Sequence, residues 1–461
     1  MTAILTANAQ FVIDGSFRAR FQGFHGYKAP VNNETEATFG VDQQSRLNFN
    51  YTNEKYSAKL TLQDARVWGS DDMWNATGNQ RNSYGLGVYE AWVELKTGAK
   101  SAVKVGRQEW NYNGGRFLSS RGWWTTGLSY DAFLYKYANK DGGLFVDFGL
   151  SYNNEMAPTT SDYVNAYPGR VKSINFLNVK KTIGTKLDVS LNLILSGQQD
   201  NTNANTLYGK GTEGIFVCYN MGKEPTDGVF GTLSAYNQHG TQATTTTGWQ
   251  KVSAYMLDAQ IGFRAMETKL EIAAGIEMLS GKDLVKAAAK DDNGKWVDST
   301  YKFTTQTIDL LEGARHPYYG GVIDYITAAG TYSAGLMDPY VRVKYKMSKK
   351  NWVGLDVFLP MLANDVYSNR YTDDDPTKDR IIYEKGLGTN IDITFGHNIS
   401  PEVKIVGGFT YAMISDSYKE MKGLRTYDAT NKTWEDKSGQ QYVGYLMLIV
   451  TPKFFSSEKE K

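Results

Sequence analysis

One cysteine, ten prolines and four histidines are all that 461 residues hold of the types that make disulfide staples, rigid linkers and most metal sites. Cys218 alone closes no intrachain disulfide, so redox chemistry lends the fold no support. His25, His239, His316 and His397 are dispersed, with no H-x-x-H, no H-E-x-x-H and no nucleophile elbow. No metal, cofactor or catalytic constellation is expected. No apolar run reaches the roughly 18 residues of a helical membrane span, which excludes such helices. It does not exclude transmembrane β-strands, whose lipid-facing and lumen-facing residues alternate. Charge is also missing in surplus: 50 Lys and Arg against 49 Asp and Glu leave a formal +1. That argues against a nucleic-acid surface and leaves any charge selectivity to placement.

What is abundant is aromatic: 31 Tyr, 20 Phe and 10 Trp, with 46 Gly spread along the chain. Aromatic residues suit pleated surfaces and glycine marks bends, so the profile is strand-rich. Alternation supports this. Phe17, Ala19 and Phe21 alternate with Arg18, Arg20 and Gln22; Leu47, Phe49 and Tyr51 with Arg46, Asn48 and Asn50. Tyr56, Ala58, Leu60 and Leu62 alternate with Lys59, Thr61 and Gln63, and Tyr89, Ala91, Val93 and Leu95 with Glu90, Trp92 and Glu94. A period of two is the signature of strands with two unlike faces. The rhythm runs to the end of the chain, weakest near 170–180, 212–220 and 334–346, and predicts about eighteen strands.

Short links near 52, 98, 139, 183, 265, 348 and 399 alternate with long ones near 28, 70, 115, 158, 202, 243, 281–330, 365–383 and 415–438. A soluble β protein has no reason to keep that order. An outer-membrane barrel does, with short periplasmic turns and long extracellular loops. The expected fold is all-β: a single transmembrane antiparallel β-barrel over residues 10–455, wide enough for an aqueous bore. Residues 1–9, ending in Ala7-Asn8-Ala9, have the pattern of a signal-peptide remnant, and 456–461 form a charged C-terminal tail. No globular segment precedes the first strand, so an energy-coupled importer with a plug is not expected.

The stretch Gly106–Phe133 concentrates Arg107, Arg116 and Arg121, the acids Glu109 and Asp131, and Trp110, Tyr112, Trp123, Trp124 and Tyr130 around Gly114 and Gly115. Together with Gln63-Asp64-Ala65-Arg66, Gly275-Ile276-Glu277-Met278-Leu279-Ser280-Gly281 and Gly313-Ala314-Arg315-His316 ahead of Gly320, it resembles the alginate export porins of Gram-negative outer membranes. The resemblance implies an eighteen-stranded barrel whose lumen arginines form a conduit for an anionic polysaccharide. It places Arg18, Arg20, Arg46, Arg66, Arg107 and Arg116 on the solute path, with Glu90 and Asp131 as counter-charges. Independently, an arginine at the lipid midplane costs roughly 2–4 kcal/mol, so Arg18, Arg20 and Arg46 are expected to face inward.

Three further expectations follow. Trp110, Tyr112, Trp123 and Trp124 either stack on sugar rings or serve as girdle and loop core, and the second reading is preferred. The link 281–330 carries Leu310, Leu311 and Tyr318–Ile326, so part of it should pack in or over the pore mouth. Acids such as Asp373, Asp374, Asp375 and Asp379 gather in loops while arginines sit in strands, which predicts anion preference. The expected function is a non-enzymatic channel in the cell outer membrane of a Gram-negative bacterium, passing anionic small solutes or polysaccharide and set in outer-membrane lipid and lipopolysaccharide. The competing classes are an outer-membrane barrel hydrolase and a soluble carbohydrate-binding surface protein.

Overall fold

Backbone groups in a bilayer must be satisfied within the protein, and a strand-built chain meets this only by closing its sheet. The computed structural model describes residues 9–27, 29–69, 86–153, 171–200, 206–222, 224–244, 248–283, 288–290, 296–298, 304–321, 328–374 and 378–457. The leader remnant expected over residues 1–9 lies, apart from Ala9, outside these residues, as do residues 458–461 of the charged tail. Eighteen strands form one closed antiparallel sheet. The first nine are β1 (Gln10–His25), β2 (Thr38–Thr52), β3 (Tyr56–Val67), β4 (Gly87–Lys96), β5 (Ser101–Gln108), β6 (Tyr130–Asn139), β7 (Leu144–Tyr152), β8 (Val171–Ile183) and β9 (Leu187–Gln199). The second nine are β10 (Leu207–Tyr219), β11 (Gly228–Thr244), β12 (Gly248–Ala265), β13 (Leu270–Leu279), β14 (Leu336–Lys346), β15 (Asn351–Phe358), β16 (Gly388–Asn398), β17 (Val403–Ile414) and β18 (Gln441–Val450).

Each strand pairs with its chain neighbour, and β1 closes the ring on β18, from Phe17↔Val450 to His25↔Tyr442. A continuation of β18, Lys453–Ser456, completes the seam from Asp14 to Val12. The strands with the weakest alternation, β8, β10 and β14, are all present. Chain order puts both ends on the rim with the short turns. One pair of links breaks the length rule. On the short-turn rim, residues 220–227 join β10 to β11, whereas only 245–247 join β11 to β12 on the opposite rim.

The faces are inverted relative to a soluble protein. On β9, Leu193 is 53 % exposed and Asn192 only 5 %. Polar groups on the inner face find one another: Asn178 donates to Asn192 Oδ1 at 2.6 Å, and Asn48 to Asp14 at 2.6 Å. Leucines left outside and amides bonded inside suit a wall with hydrocarbon around it and water within.

Alternation fails at one place that matters. A register shift between Thr61 and Leu62 leaves Tyr89 opposite no residue of β3, so this bulge turns Tyr89 inward beside Glu90. The sequence pattern had set Tyr89 on the outer face with Ala91 and Val93. Its hydroxyl instead donates to Glu109 at 2.5 Å, and it lies 3.1 Å from the Leu128 carbonyl, both in the loop that enters the barrel.

Candidate functional site

The lumen is partly filled by two long links, residues 109–129 between β5 and β6 and residues 304–321 between β13 and β14. The first is held on one side by β1–β3. Arg18 donates to the carbonyls of Gly122 at 2.6 Å and Trp124 at 2.9 Å, and Arg20 to that of Trp123 at 2.8 Å. Gln44 donates to Thr125 O at 2.5 Å and Gln63 to Thr126 O at 2.9 Å. Five consecutive carbonyls are thus taken by side chains of three adjacent strands. Asp42 fixes Arg20 at 2.7 Å, and Gln63 accepts from Arg46 at 2.7 Å. Arg46 also lies over the Tyr89 ring, 3.5 Å from its centroid, and 3.5 Å from Glu109.

On the far side the loop is held by charge. Gly114 and Gly115 adopt φ of 69° and 76°, a left-handed turn that suits glycine and carries Arg116 across to β12 and β13. Arg116 sits 2.5 Å from Asp258 and 2.5 Å from Glu277, and its side chain is only 3 % exposed. The Tyr318 ring lies 3.4 Å from its guanidinium carbon, and Tyr319 donates to Glu277. Buried ions require an opposite charge in contact, and one arginine set between two carboxylates, with the Tyr319 hydroxyl added on Glu277, gives each of the three that contact.

The second link interlocks with the first. Ala314 donates to Gly115 O at 2.8 Å, Tyr318 to Gly114 O at 2.5 Å, and Arg121 pairs with Glu312 at 2.9 Å. Its own anchors to the wall are Asp309, bonded to Lys210 and Gln238, and Gly321, which donates to Asp392 at 3.1 Å. Leu310, Leu311 and Tyr319 are buried, as expected for a loop packed into the mouth. His316 stacks on Trp123 with ring centroids 3.6 Å apart. Burial pushes its pKa down to about 4, and the nearby Arg20 adds to the effect.

The expected path residues therefore divide. Arg18, Arg20, Arg46 and Glu90 face the lumen, but Arg116 is enclosed as a strut and offers no surface to a solute. Arg66, Arg107 and Asp131 lie on the outer face, contrary to expectation. Arg66 shares the parity of Leu60 and Leu62 and pairs with Asp64 at 2.6 Å; Arg107 shares that of Val103 and Val105 and pairs with Asp131 at 2.7 Å. Both pairs lie toward the long-loop ends of their strands, away from the midplane where such charges cost most.

Glu90 balances a lysine rather than an arginine, binding Lys59 and accepting from Trp92 at 3.0 Å. Sequence reasoning missed the row that this begins. Lys104 lies over Trp92 at 3.8 Å, Lys136 pairs with Glu94 at 2.9 Å, and Lys180 is 3.8 Å from Asp188. The signal was present, since each lysine alternates with lipid-facing residues. Across the lumen the balance is acidic: Asp258, Glu277 and Asp338 are in register on β12–β14, and Asp356 opposes Asp392 on β15–β16, with Arg342 3.8 Å from Asp356. Among the described residues no group of three or more His, Cys, Asp or Glu is placed to hold a metal ion.

A closed wall of eighteen strands with an inward loop carrying Arg116 is a porin arrangement. Residues 10–145 match the alginate export family. That stretch spans β1–β6, the 109–129 loop and the start of β7, whereas the resembling segments at 275–281 and 313–320 lie beyond it. No curated protein matches the chain. Among solved structures, OccK8 (OprE) of Pseudomonas aeruginosa aligns with a TM-score of 0.56 at 10 % identity, covering 96 % of this chain and 98 % of its own. OprD of Pseudomonas aeruginosa aligns at 0.53 and 8 % identity, covering 96 % and 94 %. Pseudomonas aeruginosa OpdK, solved with vanillate, aligns at 0.53 and 10 % identity, covering 97 % and 99 %. At such identities these likenesses carry the fold, which is that of an outer-membrane porin.

Proposed function

We propose that the protein is a passive channel of a Gram-negative outer membrane that favours anions, with acidic saccharides as the substrate class. One observation carries the charge preference: Arg18 and Lys104 face the lumen with no carboxylate ion pair among the described residues. Arg18 spends its donors on carbonyls and Lys104 lies over a Trp ring, so neither is neutralised by a carboxylate in direct contact, Asp42 acting on Arg18 and Glu90 and Glu94 on Lys104 only from further off. A water-filled bore with low-dielectric walls focuses such charges onto a passing ion. The match of residues 10–145 to the alginate export family supports a carboxylated saccharide. The vanillate in OpdK is likewise a carboxylate, bound by a protein of the same fold. Solute passage through a porin fold needs no catalytic group, and the reading assigns none.

The test is the reversal potential in a KCl gradient across a planar bilayer. Wild type should prefer chloride, and Arg18→Ala with Lys104→Ala should move the potential toward potassium. Arg107→Ala, on the outer face, should leave it in place. A wild type that prefers potassium, or a double variant indistinguishable from it, would overturn the proposal.

A further inference from the structure

Of the four aromatics in the inward loop that are chemically suited to a sugar ring, three are packed away. Trp110 is buried against Tyr130, with centroids 4.4 Å apart; Tyr112 donates to Asp147 at 2.9 Å and packs on Phe176; Trp123 is stacked on His316 and edged by Tyr445. Trp124 is different. It is 49 % exposed, although it hangs from Arg18, a lumen-facing side chain of β1. Its backbone is seated on the lumen side of β1, and its ring, backed by Arg121, keeps a face open to water.

Its placement is fixed. The carbonyls from Gly122 to Thr126 are held by Arg18, Arg20, Gln44 and Gln63, and the Trp124 amide donates to Arg121 O at 2.9 Å. Arg121 lies 4.7 Å from the ring centroid and is itself tied to Glu312 at 2.9 Å, so it backs the indole without swinging free. A rigid indole with an accessible surface, next to the cation Arg18, combines a face for the C–H edge of a pyranose with a positive charge for its carboxylate.

We infer that Trp124 is a stacking subsite for saccharide rings inside the lumen, and that it separates sugar acids from simple anions of equal charge. This rests on the channel reading above, but the two fail separately. The probes are a hexuronate hexasaccharide and a neutral glucose hexasaccharide, each added to single channels in a planar bilayer, with the dwell time of current blockades as the readout. Trp124→Ala should shorten the dwell of both by roughly five- to tenfold, the scale of one aromatic contact. Trp124→Phe should retain most of it, and Trp124→Leu, which keeps bulk without a π face, should behave like Trp124→Ala. The KCl reversal potential should stay unchanged in all three. If hexuronate blocks all channels alike, the stacking site is wrong while the anion channel stands. If the neutral sugar blocks in a Trp124-dependent way but wild type shows no anion preference, the stacking site stands and the anion reading falls. Wild-type channels that neither sugar blocks would overturn the subsite.

Discussion

The 109–129 loop is attached to opposite walls by opposite means. On β1–β3 the attachment is distributed: five backbone carbonyls accept from two arginines and two glutamines, and no single bond dominates. On β12–β13 it is concentrated in Arg116 between Asp258 and Glu277, three charges with almost no access to water. The first wall can lose a glutamine and keep its grip, because a neutral hydrogen bond contributes about 1 kcal/mol net and the arginine bonds beside it remain. The second cannot, because removing one ion strands the others in a desolvated place.

The largest effect is expected from that triad. Arg116→Ala leaves Asp258 and Glu277 buried without a cation, a loss of roughly 3–5 kcal/mol that should release the loop. Single-channel conductance should rise and become noisy, and residues 109–129 should become open to protease. Replacing all three together, Arg116→Met with Asp258→Leu and Glu277→Met, should restore quiet channels. A triple variant as noisy as the single one would show that the ions do more than fill space.

His316 gives the next largest effect. Its docked pKa of about 4 lies below the usual value near 6.5, so the docked loop favours the neutral ring. As pH falls through about 6.5 the undocked ring takes up a proton first, and docking weakens until the pH reaches about 4. The loss is up to roughly 3 kcal/mol. Conductance recorded from pH 7 down to pH 4 should drift in wild type and stay flat in His316→Phe, which keeps the stack on Trp123. Equal profiles in both would remove His316 as the cause.

The smallest effect sharpens the contrast between the walls. Gln44→Leu should cost about 1 kcal/mol, since only the Thr125 carbonyl loses its donor. Gln44→Leu and Gln63→Leu should add nearly independently in protease susceptibility of the loop. A cooperative collapse of the double variant would mean that the distributed wall acts as one unit after all.

Most of the wall was readable in the sequence, because a period of two is a local property and lipid enforces it residue by residue. Arg18, Arg20 and Arg46 follow from the same count, being the even-numbered neighbours of Phe17, Phe21 and Leu47. Arg66 and Arg107 fail by that very count: Leu60 and Leu62 carry Arg66 outward, and Val103 and Val105 carry Arg107 outward. Their motifs resemble those of the alginate export porins, but their parity is that of the lipid face. The Tyr89 bulge was not legible, since an extra residue leaves no compositional trace. Arg116 was visible as a loop cation, but its burial depends on acids from two strands far along the chain, which no local pattern connects.

That distance has a consequence for assembly. The stretch that matches the alginate export family contains the inward loop, yet the groups that hold its tip, Asp258, Glu277, Tyr318 and Tyr319, all belong to the later part of the chain. While the barrel is being built, Arg116 has no partner until β12 and β13 are in place, and the second inward link cannot seat until the first has arrived. The charged half of the loop's attachment is therefore complete only once β12 and β13 stand side by side in the wall. A chain that stops before β13 lacks Glu277 and the second inward link, and keeps only the β1–β3 half of the loop's attachment.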